Sequence, residues 1–205
     1  MGLDKADRNP VAASGVGRWL LPAIVLLVAV LLALGGEMAR QWLRFDREAI
    51  DAGELWRLLS GHFVHLGWPH FALNAAGLVL VWYLVGDVFD RLRWILIGTF
   101  TVITIDIGLW VFDPALMWYV GLSGLLHGIL AAGLVEKLRK PDTEALALVV
   151  LLLGKLAFEQ FSGPMPGSET TAGGTVVVDS HLFGTLGGVV AAILLRIRVR
   201  HTASI

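Results

Sequence analysis

Six apolar runs of membrane-spanning length dominate the sequence and limit the folds open to it. They cover about residues 18–34, 68–86, 94–112, 118–135, 145–161 and 181–195. A helix of about 20 apolar residues crosses the roughly 30 Å of hydrocarbon in a bilayer. Charged residues make up only 16% of the chain, against about 25% in soluble domains. The sequence therefore predicts an all-α membrane protein, with one six-helix domain over residues 17–200 between tails at 1–16 and 201–205.

The segments around these runs carry their own signals. Basic residues before the first run and small residues after it resemble a signal peptide, but its length and the spans that follow favour a retained anchor. Residues 37–61 interleave charged and aromatic side chains, which predicts one or two short helices lying in the membrane interface. Residues 162–179 are rich in Gly, Ser, Thr and Pro, which predicts a flexible loop before the last span.

The distribution of Lys and Arg predicts the orientation, because basic residues concentrate in short cytoplasmic loops. The outer loops around Asp113 and over residues 162–179 carry no Lys or Arg, and the outer cations all fall in the long loop after the first span. The predicted inside group is Lys5, Arg8, Arg18, Arg91, Arg93, Lys137, Arg139, Lys140, Arg196, Arg198 and Arg200. Both termini are therefore expected in the cytoplasm, and the second, fourth and sixth spans run inward.

Composition also excludes some function classes. The chain has no cysteine, which rules out disulfides, thiolate catalysis and cysteine metal sites. Its formal net charge of -1 gives no reason to expect a nucleic-acid-binding surface. His62, His65 and His70 are spaced three and five residues apart, so they do not share one helical face. We expect them to form hydrogen bonds, and we predict no metal and no cofactor.

The fourth apolar run opens with Gly121, Ser123 and Gly124, and Gly128 follows one turn later. A hydroxyl in hydrocarbon costs free energy unless it is hydrogen bonded. Small residues four apart are typical of helix-packing faces, so the motif alone favours packing over a nucleophile. The choice between them depends on whether a base lies at the same depth.

Three polar residues on three different spans share one predicted depth. Counted from the cytoplasmic ends of their spans, Ser123 and Asn74 both lie 13 residues up, and His181 lies 15 residues up. At about 1.5 Å per residue these are heights of roughly 20, 20 and 22 Å. The sequence therefore predicts one polar site about 10 Å below the outer face of a bilayer.

The residue types at this depth suit acyl transfer. Ser123 offers a hydroxyl, His181 a base that can activate it, and Asn74 with His70 offers N–H donors for an oxyanion. Gly184 and Gly188 mirror Gly124 and Gly128, so close packing of the two helices would bring Ser123 to His181. We see no Asp or Glu placed to orient His181, and we therefore predict a Ser–His dyad.

Taken in order, these motifs resemble the rhomboid family of intramembrane serine proteases. The shared pieces are Glu54-Leu55-Trp56-Arg57, His70 with Asn74, Gly121-x-Ser123-Gly124, and His181 with Gly184 and Gly188. The resemblance implies that Ser123 and His181 are catalytic and that His70 and Asn74 hold the oxyanion. It also implies a membrane-embedded loop after the first span, and a fifth span that gates substrate access with the loop that follows it.

Length, span number and the pattern Gly-Leu-Ser-Gly-x-x-His-Gly are similar to those of rhombosortases, a bacterial subgroup. That similarity implies an inner-membrane protease opening to the periplasm. The expected substrates are membrane-anchored proteins with a C-terminal Gly-Gly motif, transmembrane helix and basic end, known as GlyGly-CTERM tails.

Four further polar residues within the apolar runs need a role. His127 stands where many rhomboids carry an aromatic that packs on the catalytic histidine, and it either packs or tunes the site. Lys155 and Glu159, four apart and roughly 16 and 22 Å deep in the fifth span, are either a self-neutralising pair or gate residues. Asp106 is expected to be a packing residue.

Two other function classes compete with the protease. A non-catalytic rhomboid-like protein would bind membrane helices, but it would need neither Ser123 nor His181. A small transporter also places polar residues at one depth, but transport needs no nucleophile motif.

Overall fold

The computed structural model describes residues 15–202. The tails predicted at 1–16 and 201–205 lie largely outside these residues. The described elements are α1 (Gly15–Arg18), α2 (Leu20–Leu34), α3 (Gly36–Leu43), β1 (Phe45–Asp46), α4 (Arg47–Asp51), α5 (Arg57–Ser60), α6 (Trp68–Val85), α7 (Arg91–Phe112), β2 (Trp118–Tyr119), α8 (Ser123–Lys137), α9 (Thr143–Ser162), α10 (Ser168–Ala172) and α11 (Val178–Thr202). The chain is mostly helical, as predicted.

The bounds of the long helices follow from local sequence. Asp90 and Asp142 precede α7 and α9, and each carboxylate accepts a hydrogen bond from a backbone N–H of the first turn. Such caps satisfy donors that have no partner within the helix. Pro69 lies in the first turn of α6, where its missing N–H costs nothing.

Four of the helices that the structure describes are long and apolar enough to cross a membrane, namely α6, α7, α9 and α11, and the bent pair α2–α3 makes up to five. With several such helices, this is a multi-pass membrane protein. The helix α8 has 15 residues, fewer than the roughly 20 that span hydrocarbon. It begins at Ser123 rather than at Trp118, because Trp118 and Tyr119 form β2. The predicted count of six spans stays a prediction.

The helix α8 is the centre of the bundle, and α6, α7, α9 and α11 pack around it. Gly124, Gly128, Ala131, Ala132 and Gly133 are all buried along it. These small side chains let the surrounding helices approach closely. The enclosed position explains how a short helix carries the Ser123 hydroxyl without exposing it to lipid.

The segment after α2 folds back instead of continuing outward. The helix α3 bends from α2 by 113°, and Gly36 at the bend has a φ of 57°, which favours glycine. The helices α4 and α5 follow, so the segment holds three short helices where one or two were predicted. Phe45 and Asp46 pair antiparallel with Tyr119 and Trp118, which ties this segment to the residues leading into Ser123.

Candidate active site

Ser123 and His181 meet where α8 and α11 begin. Ser123 is the first residue of α8, and His181 lies in the first turn of α11. The hydroxyl Oγ of Ser123 lies 2.9 Å from Nε2 of His181, and His181 is buried. A serine and a base within hydrogen-bonding distance are the minimum needed for nucleophilic catalysis.

Glycines on both helices allow this approach. A Cβ on Gly128 would lie 2.6 Å from the carbonyl oxygen of Gly184, and Cβ atoms on Gly184 and Gly188 would collide with the backbone of Gly124 and Gly128. No side chain fits in such contacts. The four predicted packing glycines thus form the seam of α8 and α11, and the first turn of the seam holds Ser123 against His181.

His70 reaches the same site from α6. Its Nδ1 accepts a hydrogen bond from the backbone N–H of Leu66 at 3.2 Å, so the ring proton of the neutral form is on Nε2. A Cβ on Gly121 would lie 3.1 Å from that Nε2, and Gly121 has a φ of 128°. Both observations require glycine there, and they leave the Nε2–H of His70 directed at the residues just before Ser123.

Asn74 lies one turn below His70 and is also buried. Its Nδ2 donates to the carbonyl oxygen of His70 at 3.2 Å, which uses one of its two N–H bonds. Asn74, His70 and Ser123 line one cavity. The start of α8 adds backbone N–H groups that no helical carbonyl can accept, so several donors converge around Ser123.

The structure corrects the expectation that no carboxylate orients His181. The oxygen Oε2 of Glu159 lies 2.9 Å from Nδ1 of His181, and the Glu159 side chain is 2% exposed. Its other oxygen accepts from Nζ of Lys155 at 2.7 Å. The sequence held one signal for this contact, since Glu159 shares the predicted depth of His181. That Glu159 lies on the same face of α9 as buried Leu152 and Leu156 is shown by the structure.

The ring of His127 stacks on the ring of His181. Its ring centroid lies 4.2 Å from that of His181, with the two planes 15° apart. Its Nδ1 donates to the carbonyl oxygen of Ser123 at 2.7 Å. His127 therefore packs face to face on His181 while it is held to the first residue of α8.

His127, Glu159 and His181 together could be considered as a metal site, since one ring nitrogen or carboxylate oxygen of each lies within 4.8 Å of the others. The ammonium of Lys155 contacts both Glu159 and Nδ1 of His181. A fixed positive charge at that point opposes a cation, so the donor set does not fit a metal ion.

A cavity of about 280 Å³ opens onto Ser123 between α6 and α9. Its walls come from α6, α8, α9 and α11, and include Lys155 and Glu159. Its roof comes from the segment predicted as a flexible loop, which contains α10 and contributes Met165, Ser168, Ala172 and Val176. The roof is therefore partly helical, and Ala172 at the end of α10 is buried.

The loop after α2 is anchored by buried polar contacts. Nε2 of His62 lies 3.1 Å from Oδ1 of Asp106 on α7, so Asp106 fixes the loop as well as packing. The Arg57 guanidinium bonds to Glu54 and to carbonyl oxygens of Gln41 and Arg44. These contacts give a structural reason for the Glu54 to Arg57 motif.

His65 lies in the same loop against His70, with ring centroids 5.2 Å apart. Burial, with His70 next to it, lowers the pKa of His65 to about 4. The ring is therefore neutral at physiological pH and adds no positive charge beside His70.

Comparison with known proteins gives one family and two distant relatives. The rhomboid domain matches residues 52–198, a range that includes every residue of the candidate site. An uncharacterised protein of Mycobacterium leprae is 24% identical over 211 residues, covering 92% of this chain and 77% of that protein. A Bacillus subtilis protein described as "Putative rhomboid protease YdcA" is 24% identical over 142 residues, covering 69% of this chain and 68% of that protein.

Proposed function

The chain belongs to the rhomboid family, and from that premise we propose that it is an intramembrane serine endopeptidase that uses Ser123 and His181. The single observation that carries the proposal is the 2.9 Å contact between Ser123 Oγ and His181 Nε2. The contact is partly buried, and the two helices it joins pack closely along glycines.

The reaction proceeds by acyl transfer. Ser123 Oγ bonds to the scissile carbonyl carbon while its proton moves to Nε2 of His181. The C–N bond then breaks as His181 returns that proton to the leaving amine, which leaves an ester on Ser123. Water attacks the ester with His181 again taking a proton, and Ser123 regains its hydrogen as the new carboxylate leaves.

The negative oxygen of each tetrahedral intermediate needs donors fixed in advance. Nε2–H of His70, the free N–H of Asn74 and the backbone N–H groups at the start of α8 supply them. The positive end of the α8 dipole acts in the same direction. Because these groups are held by the fold, they need not reorganise during the reaction.

Substrate reaches the site from the side, between α6 and α9, two of the helices that line the cavity. The roof over residues 163–177, together with Lys155 and Glu159 of α9, forms the gate. Both termini are cytoplasmic, and the site opens to the periplasmic side of a bacterial inner membrane. Water enters from that side.

The proposed substrates are proteins with a GlyGly-CTERM tail. A helix must unwind to present its backbone to Ser123, and glycine lowers the cost of leaving the helix. Two adjacent glycines at the outer end of a transmembrane tail therefore suit a site that lies below the membrane surface.

A matched pair of substrates tests this function. In proteoliposomes, a fusion protein with a Gly-Gly, transmembrane helix and basic tail is expected to be cut. The same fusion with Leu-Leu in place of Gly-Gly is expected to be cut at least about tenfold more slowly, since each glycine favours unwinding by about 1 kcal/mol. Changing the soluble domain is the control and is expected to have no effect.

The outcomes separate a rhombosortase from a general rhomboid protease and from a non-catalytic helix-binding protein. Equal cleavage of both tails would leave a general rhomboid protease and remove the rhombosortase assignment. Stable binding of the Gly-Gly tail without any cleavage would support a non-catalytic helix-binding protein instead.

Asn74→Ala is expected to lower kcat by about 10- to 100-fold while changing KM little. An oxyanion donor acts mainly in the transition state, and losing one costs about 10²–10³ in soluble enzymes. His70 and the backbone donors remain here, so the loss should be smaller. Steady-state kinetics on the Gly-Gly fusion check it, and a change in KM alone would make Asn74 a substrate-binding or structural residue.

A further inference from the structure

We propose that Glu159 is a positioning residue that holds His181 in the tautomer able to take the proton of Ser123, so that the site works as a Ser–His–Glu triad. This proposal rests on the protease function above and deepens it. It adds a third member, from α9, to the two residues supplied by α8 and α11.

The hydrogen-bond geometry fixes the tautomer. An ionised carboxylate only accepts hydrogen bonds, so the 2.9 Å contact between Glu159 Oε2 and His181 Nδ1 requires a proton on Nδ1. In the neutral ring Nε2 then has a free lone pair, and it faces Ser123 Oγ at 2.9 Å. This is the arrangement in which His181 can act as a base. The proton on Nδ1 stays there throughout, and none passes to Glu159.

Lys155 lies where it would favour the opposite tautomer of His181 if Glu159 were absent. Its Nζ lies 3.3 Å from the same Nδ1, and an ammonium can only donate. A bond from Lys155 would require Nδ1 without its proton, and would put the proton on Nε2, where it blocks acceptance from Ser123. Glu159 prevents this in two ways, because one oxygen accepts from His181 while the other holds Lys155 at 2.7 Å.

Helix stability does not explain the position of Glu159. Lys followed by Glu four residues later is the weaker order for an i,i+4 pair. Glu159 also occupies the buried stripe of α9 next to Leu156, where an apolar side chain would avoid the cost of desolvating a charge. The contact with His181 is the feature that an apolar residue could not replace.

The test measures how fast Ser123 reacts with a fluorophosphonate probe and how fast the Gly-Gly fusion is cleaved. Glu159→Gln keeps the shape and removes the charge, and is expected to lower both rates by about 10²- to 10⁴-fold, as neutral replacement does in soluble triads. Glu159→Asp should recover part of the loss. Glu144→Gln, the same change at an exposed position of α9, is the matched control and should react at the wild-type rate.

A double variant separates positioning from simple charge balance. If Glu159 only neutralises Lys155, the variant Lys155→Met with Glu159→Leu should regain the wild-type rate, and the proposal would be wrong. If Glu159 positions His181, the double variant stays at least about 10²-fold slow, since no carboxylate accepts from Nδ1. Lys155→Met alone keeps the carboxylate of Glu159 on Nδ1, so its His181 should still carry the proton on Nδ1.

Nitrogen NMR of protein labelled at its histidines reads the tautomer without any substrate. The signals of His181, identified by their loss in His181→Gln, should report a proton on Nδ1 in the wild type and a mixture or the opposite tautomer in Glu159→Gln. Unchanged signals would overturn the proposal. A wild-type protein with the expected tautomer that cleaves nothing would instead contradict the protease function and leave the role of Glu159 standing.

Discussion

Ser123→Ala is expected to lower kcat by a factor on the order of 10⁶, the size of effect seen when a serine protease loses its nucleophile. The alanine variant retains the donors of His70, Asn74 and the α8 backbone but has no atom that can form the acyl ester. Among the described residues, the Ser123 hydroxyl forms a hydrogen bond with His181 alone. Removing this hydroxyl should therefore leave the fold unchanged.

Two measurements check this result. Cleavage of the Gly-Gly fusion in proteoliposomes gives the rate, and a fluorophosphonate probe should label the wild type and not the variant. Ser162→Ala is a suitable control, since that hydroxyl is exposed at the end of α9. Equal labelling of wild type and Ser123→Ala would mean that another residue is the nucleophile.

That residues from three different helices meet at one level of the bundle could be predicted from sequence. Counting residues from the cytoplasmic ends of the spans places Ser123, Asn74 and His181 at one depth, because an α-helix has a fixed rise per residue. The structure brings these residues to one cavity. The same count placed Glu159 at this level, so the level of all three residues Ser123, His181 and Glu159 could be predicted from the sequence.

The rotation of each helix was harder to predict, and it is the reason that Glu159 was not linked to His181. The apolar pattern of α9 is weak as a guide because lipid-facing and protein-facing positions are both apolar in a membrane helix. Exposed Leu151 and Leu153 flank buried Leu152, and the three look alike in sequence. Only the packing of α9 on α8 and α11 shows that Glu159 faces inward.

The path of the loop after the first span also depended on contacts between distant residues. The pairing of Phe45 with Tyr119 and the contact of His62 with Asp106 join segments far apart in the chain. Two-residue strands have no periodic pattern of their own, so the sequence could predict short interfacial helices there but not where they return.

The second large effect is expected at the seam of α8 and α11. Gly184→Leu should abolish cleavage, because even the Cβ of the new side chain would collide with the backbone of Gly124. Relief of that collision must separate the two helices beside Ser123 and His181, and a displacement of about 1 Å at reacting atoms can cost about 10²-fold in rate. Overpacking adds a loss of stability of about 1–3 kcal/mol.

The control for this variant is Gly154→Leu. Gly154 lies in α9 with open space where a Cβ would be built, so the same added volume should be tolerated there with little change in rate. Thermal unfolding of both variants in detergent shows whether Gly184→Leu still folds. A folded Gly184→Leu protein that cleaves at the wild-type rate would contradict this prediction. Close contact between α8 and α11 would then not be what holds Ser123 against His181.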